Sequence, residues 1–307
     1  VASLKRILDC QASDFATMPA KDLKIAIQAA EGRTILSECI VSWTPLLRDV
    51  SNPEVARAFG ADLLLLNLFD TDTPLVSGLP QASGTEVVRE LKRLTGRPVG
   101  LNLEPVDMDA AVIGENIEVP AGRRLTQASI RKSMEFGFDF VCLTGNPSTG
   151  VSNAEISRGI RLVRATVGDK LLLMAGKMHA AGLRERWTET NLAQLAKEFA
   201  EAGADVVLLP APGTVPGVDY PMLRKAVDTA HDLGALVMLA VGTSQEGADS
   251  RTVSEIALQS KMTGADIFHL GDAGALGIAH PENILSASIT LRGQRHAWRR
   301  MAASLMR

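Results

Sequence analysis

Lys177 and His179 stand two residues apart at the end of the apolar run Lys170 to Gly176, and His269 lies inside another short apolar run. Glu104 closes Leu101-Asn102-Leu103, and Asn67 stands near the end of Leu63 to Asp70. Each residue type suits one part of carbonyl chemistry. A buried lysine can polarise a carbonyl, offset the charge of an enolate, or form a Schiff base once its pKa is lowered. A histidine can move the proton, and Asn67 and Asn102 converge with these groups. Carboxylates at strand ends can hold Mg2+ or Mn2+, directly or through water. The catalytic candidates are therefore Glu104, Lys177, His179, His269, Asn102 and Asn67, and the metal candidates Asp70, Glu104 and Glu38, with Asp107 nearby. The plainer reading is a set of salt bridges among polar groups that any enzyme barrel carries.

Glycine-rich turns follow three of the apolar runs: Gly145 to Gly150, Gly242 to Gly247, and Gly271 to Gly277. Backbone N–H groups in such turns, with a helix start behind them, form a cradle for anions. On this reading Gly242, Thr243, Ser244, Gly271, Gly274, Thr144 and Asn146 bind a phosphate or carboxylate. Glu246 and Asp272 would repel that anion unless turned outward; otherwise the glycines simply serve tight turns. The stretch Pro105 to Leu125 is long for a structureless connection, and such loops are usually functional or disordered. It is expected to close over the site as a lid, with Arg123 or Arg124 gripping a substrate anion in bidentate fashion.

These residues need a frame that brings eight strand ends together. Gly-(Ala/Phe)-Asp followed by an apolar run occurs four times, at Gly60, Gly137, Gly203 and Gly264. Each marks the turn from a helix into a strand: glycine supplies the left-handed cap and aspartate binds backbone in the turn. The spacing admits two βα units between successive copies, so the chain carries eight. Buried parallel strands read as near-continuous apolar runs, and eight alternating βα units close into a (β/α)8, or TIM, barrel whose reactive residues lie at the carboxyl ends of the strands. Residues 1–32 form an N-terminal helical extension able to plug the opposite end, and 33–307 form the barrel, with a long C-terminal helix from Pro281. Strand alternation points Asn67, Asn102, Glu104, Thr144 and His269 inward. On the fifth strand Ala175, Lys177 and His179 share one parity.

The 307 residues carry a net charge of −3 with 46% hydrophobic and 4% aromatic side chains, which suits an aliphatic barrel core. That charge argues against nucleic acid as the main partner. The basic cluster Arg292, Arg295, Arg299, Arg300 and Arg307 reads as a solvated or subunit-contacting helix face, which leaves a homo-oligomer open. Cys10, Cys39 and Cys142 suggest neither a disulfide framework nor a zinc site, and imply a reducing cytoplasm. No run is long enough to cross a membrane, the start lacks a signal-peptide pattern, and no organic cofactor is indicated.

Four motifs carry a resemblance over nearly the whole length: Leu8 to Phe15, Leu101 to Asp107, Thr144 to Val151, and Gly176 to His179. Together they resemble an uncharacterised bacterial (β/α)8-barrel family whose members bear labels such as haloacid-dehalogenase-like or phosphoenolpyruvate-phosphonomutase-like. The phosphonomutase-like label implies a barrel with a small phosphorylated or carboxylated ligand, although that family's Lys-x-Cys-Gly-His loop is absent here. The dehalogenase label implies an Asp-x-Asp pair, to which Asp70-Thr71-Asp72 is similar, but Thr73 comes one position early and the eight-unit pattern is wrong for that fold. The expectation is an enzyme acting on a small phosphorylated or carboxylate metabolite, with lyase or isomerase chemistry through an enolate-like intermediate. The alternatives are a non-catalytic phosphometabolite-binding barrel and a haloacid-dehalogenase-like phosphatase.

Overall fold

The structure, a computed structural model, describes residues 5–80, 82–110, 112, 114–115, 117–180, 183 and 187–307. Eight strands form one closed parallel barrel in chain order: β1 (Thr34–Ile40), β2 (Leu63–Asn67), β3 (Val99–Leu103), β4 (Phe140–Leu143), β5 (Leu172–Gly176), β6 (Val206–Pro210), β7 (Leu236–Val241) and β8 (Ile267–Leu270). Helices α1 (Ala12–Phe15) and α2 (Ala20–Gln28) precede the barrel. The outer layer comprises α3 (Asn52–Ala58), α4 (Glu86–Thr95), α5 (Gln127–Phe136), α6 (Asn153–Val167), α7 (Glu189–Ala202), α8 (Tyr220–Asp232), α9 (Ser250–Met262) and α10 (Pro281–Ala302). The last is broken by Gly293, whose φ of 74° is not helical. Among the described residues no helix is long and apolar enough to cross a membrane.

Strand alternation divides the core in two. Outward residues such as Ile35, Leu64, Leu101, Val141 and Leu239 pack under the helices. Inward residues Leu63, Leu65, Phe140, Met174, Leu208 and Met238 form one cluster with Leu23, Ala26 and Ile27 of α2, so the extension does plug the amino-terminal end. The fit inside is tight: a Cβ on Gly100 would lie 2.2 Å from the Phe140 ring, and the ring fills the space that the glycine leaves.

The four repeated aspartates fasten this frame. Asp62, Asp139, Asp205 and Asp266 each accept the backbone N–H of a residue at the start of the preceding strand: Ile35, Val99, Leu173 and Val237, at 2.8–3.0 Å. Each also faces a base: Arg292 and Arg300 on Asp62, Lys92 on Asp139, Lys24 and Arg164 on Asp205, His231 on Asp266. Their partner is thus the neighbouring strand rather than the turn itself.

Two strands end differently from the sequence expectation. β2 stops at Asn67, because Leu68 turns into the left-handed region at φ 59°. In β5 the expected inward set is inverted: Ala175 belongs to the outer core, while Met174 and Met178 belong to the interior. The strand ends at Gly176 (φ 152°), where a Cβ would lie 1.9 Å from the Leu208 carbonyl oxygen. No other residue fits there, and Lys177 leaves the sheet just beyond it.

Candidate active site at the barrel mouth

Glu38, inward on β1, is the hub of the mouth. It is 3% exposed, accepts a 2.5 Å hydrogen bond from Asn102 Nδ2 of β3, and sets its Oε2 3.1 Å from His269 Nε2 of β8. His269 is fully buried, and neither ring nitrogen makes a hydrogen bond of good geometry among the described residues. β1 and β8 bring the pair together because they are neighbours, with Leu36 opposite His269. Lys177, 3% exposed, and His179 lie past β5. Burial lowers the His179 pKa, Glu38 raises it and Lys177 lowers it, so all three groups share one field.

A second network lies toward β2. Asn67 Nδ2 donates to Asp272 Oδ2 at 2.7 Å and to Asn146 Oδ1 at 2.8 Å, and Asn146 Nδ2 donates back to Asn67 Oδ1 at 3.2 Å. Leu68 N–H donates to Asn67 Oδ1 and holds the strained turn. Asp272, which follows β8, also accepts from Gly274 N, and Glu246, 2% exposed, accepts from Ala273 N at 2.7 Å. Burial pushes the Glu246 carboxyl up to about 7 and that of Asp272 to about 6; Glu38 adds to both, and Asp272 adds to Glu246.

The expected phosphate cradle at Gly271 and Gly274 is thus lined by carboxylates. Glu246 and Asp272 turn inward and are the resident anions of the last loop, and Gly271 N–H bonds to the Val241 carbonyl. A phosphate there would meet two acidic side chains. Gly242 serves close packing instead: a Cβ would lie 2.6 Å from Met178 Sδ. Thr243 and Ser244 are exposed in left-handed conformation, and the Thr243 hydroxyl donates to backbone carbonyls. Thr144 is 3% exposed, with its hydroxyl unpaired among the described residues.

The expected metal triad is also not assembled. Asp70 Oδ1 accepts from the N–H groups of Asp72 and Thr73 and caps its own turn. Glu104, 1% exposed, takes Arg123 Nη2 at 2.5 Å and Asn146 N–H at 3.2 Å. Among the described residues no three His, Cys, Asp or Glu side chains are grouped to hold an ion. Nor does either arginine stand ready for an anion. Arg123 is engaged by Glu104, while Arg124 donates to the Val119 carbonyl and to Glu118. The far end of the loop is hydrogen-bonded to Glu104 through Arg123 O and Leu125 N–H, and its near end pairs with Gly150 through Asp107 N–H. The part of the expected lid at Ala111, Ile113 and Asn116 lies outside the described residues.

Sequence reasoning missed the part played by Asp272 and Glu246, which it read only as obstacles, and gave Glu38 to a metal. Their signal was the unusual placing of acids inside glycine turns that open on the mouth. Two grooves of about 270 and 640 Å3 open at the opposite end, where the chain's two ends meet, and share no residue with this site.

Residues 8–307 match the family described as a domain of unknown function, DUF7916, and the chain belongs to it. That description carries neither a haloacid-dehalogenase nor a phosphonomutase name, and the closed barrel is not the fold of an Asp-x-Asp phosphatase. No curated protein matches. Among solved structures, the chain is similar to a Schiff base forming fructose-1,6-bisphosphate aldolase (14% identity, 88% of this chain and 98% of that one, TM-score 0.55). It is also similar to the complete multifunctional pyruvate carboxylase from Rhizobium etli (12% identity, 96% of this chain and 30% of that one, TM-score 0.53) and to that enzyme's carboxyl transferase domain (12%, 93% and 51%, TM-score 0.51). The chain thus spans under a third of the whole carboxylase and about half of the domain. At these identities the likeness is one of fold, the TIM barrel.

Proposed function

We propose that the mouth is the active site of a lyase or isomerase. It would act on a small carboxylate- or carbonyl-bearing metabolite through an enolate-like intermediate. The observation that carries this reading is Glu38, a carboxylate buried at 3% exposure and held between Asn102 and His269. Buried acid–base groups with a fixed partner are what proton transfer beside a carbonyl needs. Glu38 or His269 takes the proton from the carbon next to the carbonyl. The electron pair of that C–H bond forms a carbon–carbon double bond as the carbonyl π pair moves to oxygen, where the Lys177 ammonium offsets the negative charge. Return of the proton to another carbon gives isomerisation, whereas re-forming the carbonyl with expulsion of a substituent from the next carbon, which leaves with its bonding pair and takes up the proton, gives a lyase. The acids Glu246 and Asp272 in the last two loops favour this general form over a phosphonate-specific one.

The test is proton exchange. The protein is incubated in D2O with a pool of small keto acids, hydroxy acids and aldehydes, and deuterium uptake is followed by NMR and mass spectrometry. The wild type should label at least one compound beside its carbonyl, and Glu38→Gln and Lys177→Ala should abolish the label while staying folded. Ligand-induced stabilisation without exchange in the wild type would instead indicate a non-catalytic binding barrel.

A further inference from the structure

We propose that the molecule bound at this mouth carries a protonated amino group, which docks on Asp272 while its carboxylate or carbonyl end faces Lys177. This deepens the preceding reading and rests on it only for the mouth being the ligand site.

Hydrogen-bonding capacity is the first argument. The amide and turn N–H donors here are engaged: Asn102 Nδ2 by Glu38, Asn67 Nδ2 by Asp272 and Asn146, Asn146 Nδ2 by Asn67, and the Ala273 and Gly274 N–H groups by Glu246 and Asp272. The fully buried His269 ring beside Glu38 makes no hydrogen bond of good geometry among the described residues. Acceptors remain. Asn102 Oδ1, on a side chain 4% exposed, has no partner among the described residues. Each oxygen of Asp272 accepts one bond and can take a second. Buried polar atoms are normally satisfied, so a ligand that fits this surface brings donors.

Charge is the second argument. Glu38 lies close enough to disfavour the ionisation of both Asp272 and Glu246, as Asp272 does that of Glu246, and a cation relieves that repulsion where a phosphate would add to it. Asp272 is only half-buried and so within reach, whereas Glu246 lies behind the loop and acts through its field. In the ring of eight strands β5 stands opposite β1 and across from β8. A molecule with an ammonium at Asp272 can extend across the mouth to the β5 side, where Lys177 follows the strand. The ligand class is an amino acid or amino carbonyl compound.

Matched fragments test this without knowing the natural ligand. Binding of glycine, β-alanine and 4-aminobutyrate is measured by calorimetry or NMR near neutral pH at fixed salt, against acetate, propionate and butyrate. At least one amino acid should bind about tenfold more tightly than its partner lacking nitrogen, and Asp272→Asn should remove most of that preference. The preference should also fade in the wild type as pH drops below about 6, where Asp272 takes up a proton; this arm needs no variant to fold. Equal binding of the paired compounds, or no binding by any of the six, overturns the proposal. Because the readout is affinity, it is independent of deuterium exchange: exchange can fail while the amine preference stands, and the reverse.

Discussion

The two ends of this barrel use buried carboxylates in opposite ways. At the amino-terminal end Asp62, Asp139, Asp205 and Asp266 each receive a strand N–H and a basic side chain. At the carboxyl-terminal end Glu38, Asp272 and Glu246 receive amides or backbone N–H groups, with His269 beside Glu38, and the last two are held up near neutrality. The first arrangement gives each carboxylate a base as partner, although burial still raises the Asp139 pKa. The second leaves charge under-compensated, which costs stability and leaves it available to a ligand, as expected where function competes with stability. On the proposed reading stability is concentrated at one end and reactivity at the other, in keeping with the division of labour in barrels of this kind.

Asp62→Asn should give the largest effect. Asp62 and the Arg292 side chain are fully buried, and Arg300 is nearly so. Removing the carboxylate leaves two buried guanidinium groups without their counter-charge, at a cost of about 3–5 kcal/mol. Urea unfolding measures it. A loss below about 1 kcal/mol, in the range of exposed pairs, would erase the contrast between the two ends.

Neutralising a mouth carboxylate should do the reverse. The Glu246 carboxyl is raised from 4.5 to about 7 in the folded chain. The folded state therefore holds a proton that the unfolded state has already released, and stability falls as pH rises from about 4.5 to about 7, then levels. Above that window the penalty is on the order of 3 kcal/mol at most. Glu246→Gln should raise stability near pH 8 by about 1–3 kcal/mol and flatten this part of the pH profile. A glutamine variant less stable than the wild type at alkaline pH would show that the bond to Ala273 N–H outweighs the burial cost.

Much of this asymmetry was legible in the sequence, and the illegible part has physical reasons. The aspartates after Gly60, Gly137, Gly203 and Gly264 announced themselves by repetition, and repetition revealed eight strands. The inward set Asn67, Asn102 and His269 followed from alternation, since one missed residue would flip a strand. On β5 alternation misled, because the pleat ends at Gly176, where the Leu208 carbonyl approaches too closely for any side chain. The loops defeated sequence reasoning more widely. Whether Glu246 points in or out depends on the left-handed turns at Thr243, Ser244 and Ala273, residue types that seldom adopt that conformation. Arg123 gave no sign that its partner would be Glu104, nineteen residues earlier.

That ion pair is the exception inside the mouth, since Glu104 is compensated as the aspartates at the other end are. Arg123→Ala should therefore destabilise, by about 1–3 kcal/mol, through the buried carboxylate left behind. Adding Glu104→Gln should recover much of the loss, a coupling that a double-mutant cycle reads directly. Additive effects would place Glu104 with the ligand-facing acids instead.

The smallest effect belongs to the one aspartate whose base titrates near neutrality. His231 Nε2 lies 2.8 Å from Asp266 Oδ2, and that contact raises the histidine pKa, with Asp228 adding to the rise and Arg224 opposing it. A histidine raised in the folded state contributes stability that is fully present below its unfolded pKa of about 6.5 and is lost as pH rises through the folded value. The His231 side chain is 36% exposed, so solvent screening keeps the contribution below about 1 kcal/mol. Subtracting the pH profile of His231→Gln from that of the wild type cancels the mouth carboxylates, which both proteins share. The difference should be positive at pH about 5.5 and vanish by about 8. A flat difference would mean that Asp266 needs only the Val237 N–H, and that the base beside it adds nothing to this corner of the frame.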